Sequence, residues 1–273
     1  MFRKIAKQVC PPIILTIAQS LQSQLSPPSH YITGDYATWE EATQVSTGYD
    51  SDLILEKTKQ ALLKVKKGEA IYERDSTLFN EIHYSWPLLA GLMWTAARSG
   101  GRLNVLDFGG SLGSTYFQNR EFLKELTEVR WNIVEQPKHV KVGNEFFKDK
   151  ILRFYQNIDA YSTENIPDVI ILGGSLQYVQ GSYELLELLF SLRPKCIIID
   201  RTPFWEGDVD QIFVQHVSPN IYRASYPTWI FSKKQFLKHL EKSDYFILAE
   251  FVNEDYLPAP IHYNYKGMIL NQK

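Results

Sequence analysis

The rhythm of hydrophobic positions changes near residue 100. From about 35 to 100 the spacing is helical. Thr38-Trp39-Glu40-Glu41-Ala42 predicts a short helix, with Thr38 as N-cap and Glu41 completing a capping box. Asp50 or Ser51 caps a second helix carrying Leu53, Ile54, Leu62, Leu63 and Val65, which Gly68 stops. A third runs from Trp86 to Ala97 and ends at Gly100-Gly101. From 102 onward, short apolar runs at 103–108, 131–135, 151–155, 168–172 and 196–200 alternate with helical stretches. These runs are too uniformly apolar for a half-exposed sheet and fit parallel strands buried on both faces. A helix at 231–240 is followed by two strand runs, 245–251 and 267–270, with no helix between them. The expected fold is α/β and Rossmann-like: a seven-stranded sheet, mostly parallel, with the last strand antiparallel. The expected organisation is a basic and apolar segment with a linker at 1–29, a helical cap at 30–100 and the core at 101–273.

Composition narrows the function classes. The chain has 273 residues, 44% hydrophobic and 22% charged, which excludes disorder of the whole. A net charge of −2 provides no basic field for nucleic acid. Cys10 and Cys196 are too few for a disulfide framework or a cysteine zinc site, and six scattered histidines show no metal-ligand spacing. Arg3, Lys4 and Lys7 precede the apolar run Ile13-Ile14-Leu15-Thr16-Ile17-Ala18, which Pro11-Pro12 opens. Three readings stay open there: a helix packed on the domain, an interfacial helix meeting a membrane through residues 1–25, and a cleaved signal.

The informative string is Val105-Leu106-Asp107-Phe108-Gly109-Gly110-Ser111-Leu112-Gly113-Ser114, between a strand and a helix. The dinucleotide fingerprint fails, because Ser111 and Ser114 stand where G-x-G-x-x-G requires glycine. An acid before the turn, Asp107, suits a cationic ligand: the ammonium of S-adenosylmethionine, reached directly or through water. Gly109, Gly110, Ser111 and Gly113 let a ligand approach the backbone. Glu135, 22 residues after Gly113, can accept ribose hydroxyls, or be a surface acid beside Pro137. Asn157 and Ile158 follow the third strand, where an adenine edge and face would be read, or form a solvent loop. Gly174 and Ser175 follow the fourth strand and leave room for a methionine chain. Gln177 and Tyr178 come next, facing acceptor, cofactor or core.

At these residues the chain resembles the class I S-adenosylmethionine-dependent methyltransferases, whose sheet has seven strands with a reversed last one. It departs from their commonest turn at Ser111. More narrowly it resembles a family of bacterial methyltransferases associated with surface-polysaccharide gene clusters. The shared strings include Gly34-Asp35-Tyr36, Thr47-Gly48-Tyr49-Asp50, Tyr72-Glu73-Arg74-Asp75-Ser76 and Tyr84-Ser85-Trp86-Pro87. They continue through the 106–114 turn, Val134-Glu135-Gln136-Pro137, Leu176-Gln177-Tyr178, Asp200-Arg201-Thr202-Pro203 and Ala224-Ser225-Tyr226-Pro227. The resemblance implies methyl transfer from S-adenosylmethionine to a small-molecule acceptor, a glycan or glycan precursor.

Arg74 is a candidate for the methionine carboxylate, or a member of a surface ion pair with Glu73 and Asp75. The stretch 201–230 holds Phe204, Trp205, His216, Tyr222, Tyr226 and Trp229, an acceptor lid or a satellite core. Candidate general bases are Asp200 and His216, with His83 read as structural. The expected location is cytoplasmic, with peripheral contact at the inner membrane face. Two competing readings are a non-catalytic S-adenosylmethionine- or nucleoside-binding module and an NAD-dependent sugar oxidoreductase.

Overall fold

The computed structural model describes residues 30–48, 52–218 and 224–273. The expected segment 1–29, with its membrane contact, the cap at Asp50 or Ser51, and Tyr222 lie outside the described residues. The chain opens with β1 (Tyr31–Tyr36), α1 (Trp39–Gln44), α2 (Asp52–Lys67), the hairpin β2 (Tyr72–Arg74) and β3 (Thr77–Phe79), and α3 (Trp86–Arg98). It continues with β4 (Arg102–Phe108), α4 (Ser114–Leu123), β5 (Glu128–Val134), α5 (Pro137–Phe146), β6 (Leu152–Tyr155) and α6 (Ile158–Ser162). Next come β7 (Val169–Gly173), a 3₁₀ turn (Leu176–Tyr178), α7 (Ser182–Ser191) and β8 (Cys196–Trp205). The end is β9 (Gln211–His216), β10 (Ser225–Ser232), α8 (Lys233–Leu240), β11 (Tyr245–Val252) and β12 (Asn264–Gln272).

Side chains alternate across a strand, and here both faces are apolar. Val105, Ile133, Val169, Ile171 and Ile198 pack on one face with α2 to α5. Leu106, Val134, Ile170, Leu172, Ile197 and Ile199 pack on the other with α6, α7 and α8. That double burial is why these strands run parallel, with helical crossovers.

The sheet has ten strands, where seven were expected. Seven follow the order β6-β5-β4-β7-β8-β12-β11, with β12 antiparallel to both neighbours. The other three hang on the far end of β8, which is twice as long as the run at 196–200. Beyond Arg201, Phe204 and Trp205 pair with Phe231 and Ser232 of β10. β10 pairs with β9, and β9 with β1. Ser232 ends β10 and caps α8, accepting from Gln235 N at 3.2 Å.

Residues 30–100 are not purely helical: they supply β1 and the β2–β3 hairpin. Thr38 caps α1 as expected, accepting from Glu41 N, while the Glu41 carboxylate reaches back to Ala37 N rather than to Thr38. α3 belongs to the core layer. Gly91 lets it lie against β8, where a Cβ would stand 2.7 Å from Ile198 Cδ1. No helix among the described residues is long and apolar enough to cross a membrane.

Candidate functional site

From β4 the chain winds to β5 and β6 on one side, then returns through β7 and β8 on the other. The crevice between the carboxyl ends of β4 and β7 is therefore a topological switch point, where open α/β sheets take ligands. Gly109 forms one wall and Gly174-Ser175 the other. Gly109 has φ +70°, and a Cβ there would stand 2.6 Å from Ser175 Cβ. Glycine is required by both conformation and space. Ser175 Oγ and, two residues on, Gln177 Oε1 are buried without a protein partner. Both stand beside the switch point, where they can meet a polar group of a ligand.

Asp107 lies beneath the turn. It is 1% exposed, and a Cβ on Gly110 would come within 2.5 Å of its carboxyl group. Trp131 Nε1 donates to Asp107 Oδ2 at 3.0 Å. Burial pushes the Asp107 pKa up to about 7, against the Trp131 hydrogen bond. Its geometry gives it a supporting part: the carboxyl shapes the Gly110 turn from below. Ser111 continues the turn with a left-handed backbone at φ +53°, and Gly113 at φ +105° opens α4.

Glu135 follows β5, one strand over, and accepts from Gln136 N at 2.5 Å. Burial pushes its pKa up, while His139 and that N–H pull it down. Asn157 and Ile158 stand after β6, and both have structural work. Asn157 caps α6, accepting from Ala160 N at 2.8 Å, and Ile158 is buried in the core. The Asn157 cap occupies Oδ1, and the residue itself is exposed.

The hairpin roofs the turn. Its two-residue loop, Asp75-Ser76, takes left-handed backbone at φ 51° and 67° without any glycine. Glu73 is 1% exposed and accepts from Ser76 N at 2.7 Å and Ser114 Oγ at 2.5 Å. Its carboxyl thus lies beside the first residue of α4. Burial pushes its pKa up to about 7, against those two hydrogen bonds. Gln118 Nε2 donates to Tyr72 Oη at 3.1 Å, and Thr58 and Ser76 hydroxyls meet at 2.7 Å. Arg74, the candidate carboxylate anchor, instead pairs with Asp255 at 3.5 Å.

Arg201 sits where β8 bends, itself left-handed at φ 49°. Its Nη2 donates to Gly173 O at 2.9 Å, and its Nη1 is 3.5 Å from Asp75 Oδ2. Burial opposes its charge, and the carboxylates of Asp75, Asp200 and Asp255 outweigh that and raise its pKa.

Two expected roles are corrected. Asp200 is 3% exposed and already accepts from Ser85 Oγ at 2.9 Å, Asn253 Nδ2 at 2.6 Å and Arg201 N at 2.9 Å. Buried and accepting three hydrogen bonds, its carboxyl anchors Ser85, Asn253 and the Arg201 backbone. His216 is on β9, two strands outside β8. Its Nε2 bonds Thr33 Oγ1 at 2.8 Å and its ring stacks on Tyr31 at 4.6 Å. Of the aromatics singled out in 201–230, Phe204 and Tyr226 are buried on the strands that widen the sheet, and Trp205 and Trp229 are half-buried there.

From the sequence, Glu73 and Asp75 entered only as ion-pair partners of Arg74, and Trp131 only as part of a strand. The dense Tyr72-Glu73-Arg74-Asp75-Ser76 string was the available signal. No group of three or more His, Cys, Asp or Glu among the described residues could hold a metal ion.

No family model matches the chain, and no curated protein does. Solved structures do. One is the 1,6-didemethyltoxoflavin-N1-methyltransferase of Burkholderia thailandensis, with 1,6-didemethyltoxoflavin and S-adenosylhomocysteine bound. It is 14% identical over 90% of this chain and 97% of that one, with a TM-score of 0.44. Another is the N-terminal domain of EvdMO1 with S-adenosylhomocysteine and D-fucose, 11% identical over 82% and 100%, TM-score 0.49. A third is the glycopeptide N-methyltransferase MtfA with S-adenosylmethionine, 8% identical over 65% and 86%, TM-score 0.46.

Proposed function

We propose that this chain is an S-adenosylmethionine-dependent methyltransferase acting on a small-molecule acceptor. One observation carries the reading: the Glu73 carboxyl at the start of α4. A Rossmann dinucleotide site lays a pyrophosphate on that helix N-terminus. Here the place has a carboxyl group beside it, and Asp107 lies under the same turn. The site repels a pyrophosphate and suits a nucleoside with net positive charge. S-adenosylmethionine is such a nucleoside, and it brings an electrophilic methyl group.

The residues divide the work. Gly109, Gly110, Ser111 and Gly113 present backbone to the methionine chain, with Asp107 and Glu73 bracing the turn. Glu135 receives the ribose hydroxyls. Gly174 and Ser175 form the wall where methyl transfer takes place, and the unpartnered Ser175 Oγ receives a polar atom of the ligand. Packing of the hairpin over the turn excludes water, and alignment in a dry crevice supplies much of the rate. The resemblance alone points to a glycan or glycan precursor as acceptor, which a screen of sugars for S-adenosylhomocysteine release tests.

Calorimetric titration of purified protein tests the cofactor. Micromolar binding of S-adenosylmethionine and S-adenosylhomocysteine with none of NAD is expected. Binding of NAD alone would replace this reading with the oxidoreductase one.

A further inference from the structure

We propose that Asp75, oriented by Arg201, is the general base that receives the proton of the acceptor's nucleophilic group. This rests on the reading of the crevice as an S-adenosylmethionine site.

Asp200 is 3% exposed and already accepts from three donors, and His216 stands two strands outside β8, bonded to Thr33 and stacked on Tyr31. Asp75 has the opposite properties. Its side chain is 68% exposed, and it meets Arg201 Nη1 at 3.5 Å. A water or an acceptor can reach its oxygens. Arg201 in turn is fixed to the crevice wall. Nη2 donates to Gly173 O, and a Cβ on Gly174 would stand 3.3 Å from the same atom. The guanidinium therefore joins Asp75 to the end of β7, next to the unpartnered Ser175 Oγ and Gln177 Oε1.

Backbone strain falls in the same place. Five non-glycine residues among those described take left-handed backbone, and four of them are Asp75, Ser76, Ser111 and Arg201. Such strain persists where surrounding contacts over-determine it, and it clusters at functional sites. Here it brings a carboxylate from the roof and a guanidinium from the floor to one point. The phenols of Tyr72 and Tyr178 both lie within the field of Asp75 and Arg201.

The step balances without a further reactant. A lone pair of the acceptor oxygen or nitrogen forms the bond to the methyl carbon. The carbon–sulfur bond breaks and its electrons stay on sulfur, which becomes a neutral thioether. The proton leaves the acceptor for Asp75 Oδ. The Arg201 guanidinium holds the Asp75 carboxylate towards the crevice before that transfer.

Sinefungin tests this without a known acceptor. It carries an amine-bearing carbon in place of the methylated sulfur, so its ammonium stands where the methyl group is transferred. Titration calorimetry compares it with S-adenosylhomocysteine on the full chain, Asp75→Asn, Asp75→Glu and Arg201→Met. With a water in the acceptor's place between the ammonium and Asp75, the charge-assisted bridge predicts that the parent protein prefers sinefungin by about tenfold or more. Asp75→Asn should erase that preference while S-adenosylhomocysteine affinity stays within about twofold. Asp75→Glu should restore part of it, and Arg201→Met should weaken it. Retention of the full preference in Asp75→Asn would overturn the proposal. So would an equal loss of both ligands in that variant, which marks a structural part. Binding of neither ligand to the parent protein would overturn the crevice reading and this inference with it.

Discussion

Asp107 and Glu73 are carboxyl groups whose pKa values burial lifts to about 7. In the unfolded chain they titrate in the ordinary carboxylate range near 4. Between about pH 4 and 7 the native protein holds more protons than the unfolded chain, so stability falls as pH rises through that window and levels off above it. Each unit of pKa difference corresponds to about 1.4 kcal/mol, so the two groups together change stability by several kcal/mol at most. Melting temperatures of ligand-free protein at pH 5.5 and 7.5 check this: the lower pH should melt later. Asp107→Asn should flatten the slope while keeping an acceptor for Trp131 Nε1. The same protons must leave when a cation arrives, so S-adenosylmethionine affinity should rise from pH 6 to 8. Calorimetry in buffers of different ionisation enthalpy reads the released protons directly. Asp107 drew attention in the sequence because it ends a strand that a glycine turn follows, and Glu135 because it ends the next strand. Glu73 did not, since its importance comes from Ser114, 41 residues away.

At the scale of elements, the turn between β4 and α4 makes opposite demands on two residues. Gly109→Ala places a Cβ in left-handed backbone and against Ser175. It should cost roughly 1–3 kcal/mol in denaturant unfolding and at least about tenfold in S-adenosylhomocysteine affinity. Ser111→Gly relieves a left-handed serine, so it should leave stability within about 1 kcal/mol of the parent. A larger loss there would mean that the Ser111 side chain itself holds the turn. The parallel strands and their helices were readable from uniform apolar runs and capping residues. The stretch after Asp200 was not. Pro203 and Pro227 lie within strands, where proline argues against a strand reading. The aromatics between them read equally as a lid or as a satellite core. Phe204 and Tyr226 belong to the packing of β8, β9 and β10, and Arg201 marks where β8 turns from the crevice towards those strands.

At the scale of the molecule, a far edge of the sheet is connected to the crevice. Ile32 of β1 is buried with Phe213, Ile230, Tyr263 and Tyr265, and its N–H donates to Pro258 O at 2.8 Å. The loop thus pinned carries Asn253, which holds Asp200, and Asp255, which faces Arg74. A chain that begins at residue 29 is the reference for the next variant: its melting temperature and S-adenosylhomocysteine affinity are the values against which the loss of β1 is read. Deleting residues 1–36 removes β1, exposes the edge of β9 and frees the 253–258 loop. At about 2–4 °C per kcal/mol in a domain of this size, the loss of one buried isoleucine and its strand pairing should lower melting by roughly 5–10 °C. Affinity should fall as well, because Asp200 loses the donor that fixes it under Arg201. If the longer deletion melted early but bound ligand normally, β1 would be a support for the β9–β10 extension alone, and the connection through Asn253 would not reach the site.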